Sequence, residues 1–115
     1  MTKDQQNSQP SLFDANAGNA EVEKVLLYAL GEFQSRGKIL AERKLALDRL
    51  RGAFRRAAEK FDCQEFSDEE LAKNLGQMGA KIEKVPSFVA KHPFRVTVRI
   101  DLAEAAKTFY QNTLE

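Results

Sequence analysis

The chain is predicted to be a helix-rich α+β protein, and three observations predict it. Apolar residues recur at three- and four-residue steps over two stretches, Val22 to Phe33 and Leu40 to Phe61. Phe94 to Ile100 alternates strictly, with Phe94, Val96, Val98 and Ile100 on one side and Arg95, Thr97 and Arg99 on the other. Two capping-box patterns, Ser67-Asp-Glu-Glu70 and Asp101-Leu-Ala-Glu104, each open a further helix. The expected order is a helical hairpin, a short third helix, a two-stranded β-hairpin and a C-terminal helix.

Residues 1–18 are rich in Gln, Asn, Ser and Asp and are expected to form a disordered polar tail, leaving residues 19–115 as a single small α+β domain. Leu12 and Phe13, the one large apolar pair of that tail, are candidates for anchoring a partner. The blander alternative is that they fold back on their own domain. Asn19 reads as the N-cap of the first helix, with Glu21 and Glu23 in its first turn where the helix dipole favours anions. Val22, Val25, Leu26, Ala29, Leu30 and Phe33 form its buried face. Gly37 is placed to stop it as a C′ residue.

A second helix is expected from Lys38 to Phe61, with Leu40, Leu47, Leu50, Phe54, Ala57 and Phe61 inward. The two stripes share a phase, so one continuous helix is also open. Gly31, Gly37 and the arginines at seam positions, Arg36 and Arg43, favour a break. Leu45 falls opposite the second stripe, among basic residues, and is a candidate second contact surface for a homodimer or a docked partner. In the last helix Leu102, Ala105, Ala106 and Phe109 are expected inward.

Between these, Glu70 to Val85 supports two readings. Leu71, Ala72, Leu75, Gly76, Ile82 and Val85 have the spacing of a helix-turn-helix, with Lys81 and Lys84 toward phosphates and the following hairpin as a wing. In element order this resembles winged-helix regulators. Gln77-Met78-Gly79 and Pro86 leave little room for a recognition helix, and the competing reading is a helix ended by Gly79 followed by a strand from Ala80 to Val85. The second reading is preferred.

Charge carries the functional expectation. Lys and Arg total 18 against 17 Asp and Glu, a net of +1, so no global polyanion-binding signal exists. The distribution is uneven: residues 36–61 sum to +6, residues 62–79 to −4 and residues 80–100 to +4. Lys44, Arg51 and Arg55 would share a helical row, and Lys81, Lys84, Lys91, Arg95 and Arg99 surround the hairpin. These eight are the candidate nucleic-acid-binding residues, acting by phosphate neutralisation with little base readout. Pairing with neighbouring acids, Asp68, Glu69 and Glu70 among them, would cancel such a surface.

Chemistry signals are poor. His92 is the single histidine, and Cys63, Asp62 and Glu65 make a weak ligand set. Cys63 and His92 lie in separate loops with no third orienting residue, so Cys63 reads as a packing residue and His92 as a turn residue. Gly31 to Ile39 mimics a phosphate loop but has the wrong spacing and lacks the magnesium-binding hydroxyl. No catalytic residue, metal or cofactor is expected, and no apolar run is long enough to span a bilayer.

The expectation is therefore a small, cytoplasmic, non-enzymatic protein. Its partner would be nucleic acid, DNA or RNA, or an acidic protein surface, with the chain a homodimer or a subunit of a complex. The alternative role is a protein-protein adaptor, inhibitor or accessory subunit.

Overall fold

The computed structural model describes residues 10–86 and 94–114, with side chains from residue 21 onward. Its elements, in chain order, are α1 (Pro10–Ser35), β1 (Lys44–Ala46), a 3-10 turn (Leu47–Leu50), α2 (Arg51–Lys60), α3 (Asp68–Gln77), β2 (Lys81–Lys84), β3 (Phe94–Thr97) and α4 (Ile100–Leu114). The class is α+β.

The first helix begins at Pro10, upstream of Asn19, so Asn19 does not cap it. Proline suits the first helical position because its φ is already helical, and Ala15, Ala17 and Ala20 carry the helix through a polar stretch. The helix stops where expected: Gly37 has φ +82, a conformation that glycine adopts without steric cost.

The second helix is shorter than its periodicity suggests. Residues 38–50 do not continue it; Ala41 bridges to Val98, Lys44–Ala46 joins the sheet, and only Arg51–Lys60 is α-helical. Leu40 and Leu47 are buried all the same, each 2% exposed, because leucines four or seven apart can point inward from a loop and strand as well as from a helix. The helix pair α1 and α2 still packs face to face, around Leu26, Leu30, Phe54 and Ala57.

The Ser67 hydroxyl accepts from the Glu70 amide at 3.2 Å and the Glu70 carboxylate accepts from the Ser67 amide at 2.8 Å, so the first capping box forms. Gly79, at φ +107, ends this segment and Ala80 leads straight into β2. No recognition helix follows Gly79: Lys81, Ile82, Glu83 and Lys84 pair with Thr97, Val96, Arg95 and Phe94 as an antiparallel strand. The hairpin gains a third strand, since β1 pairs antiparallel with the other edge of β3 to give the order β1-β3-β2.

Val96 and Val98 are buried, but Ile100 is 56% exposed because α4 already starts there. The cap of α4 also differs from the expected Asp101–Glu104 box. The Ile100 amide donates to the Glu42 carboxylate at 3.0 Å, from a loop 58 residues upstream, while Asp101 accepts from Leu102. Ala103 and Ala106 are the buried residues of α4, and Ala105 is exposed. This helix lies chiefly along α1, where Gly31 allows the two backbones to approach closely.

Candidate nucleic-acid interface

The strand register decides which side chains share a face. Leu45, Val96 and Ile82 stand opposite one another across β1, β3 and β2 and point to the core, with Leu45 at 5% and Val96 at 1% exposure. Alternation then sends their neighbours outward. One outward row is Lys44, Thr97 and Lys81; the next is Ala46, Arg95 and Glu83. Three of the expected cations are thus gathered on one sheet face by a strand that the sequence reading took for helix.

Glu83 is the one carboxylate in those two rows. It forms an ion pair with Lys44 at 3.0 Å, reaching across the central strand, and a longer one with Lys81 at 3.9 Å along its own strand. The hydrogen bond and charge of Lys44 hold the Glu83 carboxyl below the usual carboxylate range, with Lys81 adding to the effect. Glu83 therefore stays ionised at neutral pH, one negative side chain within two outward rows that also hold Lys44, Lys81 and Arg95. The lysine side chains remain open to solvent, 59% exposed for Lys44 and 70% for Lys81. Arg95 is half-buried and donates to its neighbour's carbonyl, the Phe94 oxygen, at 3.3 Å.

The other candidates do not join this face. Arg51 is bound by the Asp68 carboxylate, with Asp48 at 3.4 Å. Arg55 lies 3.5 Å from Glu65, and Arg99 lies 3.8 Å from Asp101. Lys84 sits over the Phe94 ring, 5.6 Å from its centroid. Lys91 lies outside the described residues, as does His92, and the side chains of Leu12 and Phe13 are likewise outside them. Leu45 is a correction: it is not an exposed contact residue but a core residue of β1, buried because its strand faces the helices.

A second group of cations lies outside the eight candidates. Lys38, Arg43 and Arg49 line a groove of about 240 Å³ beside β1, with Phe33 and Leu45 beneath them. No ion pair joins these three among the described residues. Ile39 in the same loop is 64% exposed. The signal was present in the sequence as the +6 sum of residues 36–61, but on a helix Lys38 and Arg49 would share a face with Arg43 turned well away from both.

Cys63 is an exposed free thiol, and partial burial together with the Asp62 charge pushes its pKa up, away from the thiolate a nucleophile needs. Among the described residues, no three His, Cys, Asp or Glu side chains cluster as metal ligands would, and no helix is long and apolar enough to cross a membrane. No family model matches the chain, and no curated protein or solved structure matches it either.

Proposed function

We propose that this chain is a small, non-enzymatic, cytoplasmic protein that binds DNA or RNA by its phosphate backbone through the open face of the sheet. The reading rests on one observation: Lys44, Lys81 and Arg95 share a face whose two outward rows contain a single carboxylate. A three-stranded surface with lysines on its two edge strands fits a phosphate backbone and offers few groups that would read bases. Lysine ammonium groups are compact, freely rotating donors and suit such non-directional contacts. Glu83 keeps the face from being strongly basic, in line with a weak, salt-sensitive association.

The test is a binding titration with mixed-sequence DNA and RNA at low salt. The double variant K44A/K81A should weaken binding roughly tenfold, equivalent to about 1.4 kcal/mol. R55A and R99A, which remove cations that lie off this face, should leave it within about twofold. Equal losses from all of these substitutions would defeat the assignment to the sheet face.

A second reading, a protein-protein adaptor or accessory subunit, draws on the same pairing pattern. With Arg51, Arg55 and Arg99 each beside a carboxylate, three of the eight candidate cations are matched within the molecule. Absence of any nucleic-acid binding at low salt favours this second role.

A further inference from the structure

We infer that a second copy of this chain docks on the first head to tail, with Ile39 of one copy seated in an acid-rimmed groove of the other. The groove lies between α1 and the segment joining α2 to α3 and encloses about 330 Å³. Val22, Phe61 and Phe66 supply apolar wall, and Glu21, Glu65 and Glu70 supply carboxylates around it. Glu21 and Glu65 meet Lys24 and Arg55 at 3.8 and 3.5 Å, yet remain 70% and 59% exposed, so their charge is available to an incoming cation. Glu70 is held in its capping box.

The complementary shape is on the same molecule. Ile39 projects into solvent next to Lys38 and close to Arg43, two cations with no ion pair among the described residues. Its loop is anchored on both sides. Gly37 turns the chain at φ +82 before it; after it, Leu40 is buried, Ala41 bridges to Val98, and the Glu42 amide donates to the Val98 carbonyl at 2.7 Å. An apolar group presented by a fixed loop loses little conformational freedom on binding, which removes one of the main costs of association. A pocket near the small end of the ligand-sized range accommodates such a side chain and its flanking stems but not a folded element.

The Ile39 loop does not fill the groove of its own chain. The groove residues on α1 end at Val25, whereas the loop follows the far end of that helix at Ser35, about 15 Å further along the axis. The match between the basic projection and the acidic groove points to a second copy as the occupant, and the contact is heterologous because two different surfaces meet. The proposal uses none of Lys44, Lys81 or Arg95, so it stands or falls separately from the sheet-face reading.

Sedimentation equilibrium on the purified chain tests it. The wild type should show an average mass above the 13.0 kDa monomer at concentrations up to about 1 mM, decreasing as salt is added. I39D, with its apolar projection lost, and E21K/E65K, with its groove charge reversed, should each be monomeric while keeping the wild-type circular dichroism spectrum. Mixed together they should form a 1:1 complex, because one retains the groove and the other the projection. A monomeric wild type, persistent self-association of I39D, or a mixture that stays monomeric would each overturn the proposal.

Discussion

The carboxylate of Glu32, on α1, accepts two parallel hydrogen bonds from the guanidinium of Arg56, on α2, at 2.7 and 2.8 Å. Glu32 is the one buried charged side chain among the described residues, and Arg36 approaches it as well at 3.4 Å. Burial alone would raise the Glu32 pKa. The hydrogen bonds from Arg56 and Arg36, with their positive charges, outweigh that and hold it below the usual carboxylate range. A fork of this geometry fixes the rotation of one helix against the other, which apolar packing alone leaves looser.

Replacing Glu32 with Gln should therefore destabilise the fold by about 2 kcal/mol at neutral pH. That is below the cost of breaking a fully buried pair, because the Arg56 side chain keeps 40% exposure. The pH dependence has a definite sign. A carboxylate with a depressed folded pKa contributes stability that is fully present above its unfolded pKa, about 4.3, and is lost as pH falls through the folded value. Denaturant unfolding of wild type and E32Q should give curves that converge as pH is lowered below about 4. A gap that stays constant across this range would remove Glu32 from the role assigned to it.

At the crossing of α1 and α4, a methyl group on Gly31 would overlap the Tyr110 Cβ and come within 2.5 Å of the Ala106 carbonyl oxygen. G31A gains up to about 1 kcal/mol in helix propensity. Overpacking against backbone costs about 1–3 kcal/mol, and here the obstructing atoms cannot swing away, so the net effect should be destabilising. Thermal unfolding of G31A checks this; a melting point equal to or above wild type contradicts it.

Glu42 combines a positive φ of 60 with the bond that its side chain accepts from the Ile100 amide. E42A loses the cap and keeps the backbone strain, and should cost about 1 kcal/mol. E42G loses the cap but relieves the strain, so it should be the more stable of the two variants. Unfolding free energies that rank alanine above glycine would count against the cap-and-turn account.

Much of the core was legible because burial follows apolar periodicity whatever the backbone does. Val25, Leu26, Leu30 and Phe33, then Leu50, Phe54 and Ala57, are buried as their spacing requires. The capping box at Ser67 and the glycine stops at Gly37 and Gly79 are local chemistry and were readable for that reason. Lys44–Ala46 was not: three residues are too few to show alternation, and their strand state comes from pairing with Phe94–Thr97, about fifty residues away. The candidate face inherits that gap. Lys44, Lys81 and Arg95 were recognisable as cations, but only the sheet register places them side by side.

Glu83 sits between those cations and should restrain binding to a polyanion. E83Q removes the one carboxylate from the two outward rows and frees Lys44 and Lys81 from it. Nucleic-acid affinity at low salt should rise a few fold, with a steeper dependence on salt. An affinity that falls or stays the same in a titration of this variant would show that Glu83 does not oppose the ligand.

The most direct measurement is the salt dependence of binding to duplex DNA for wild type and K44A/K81A. Phosphate contacts by the two lysines predict a slope of log affinity against log salt that is shallower by about 2 in the double variant than in the wild type. Equal slopes for the two proteins, or no binding by the wild type even at about 50 mM salt, would contradict a phosphate-binding sheet face.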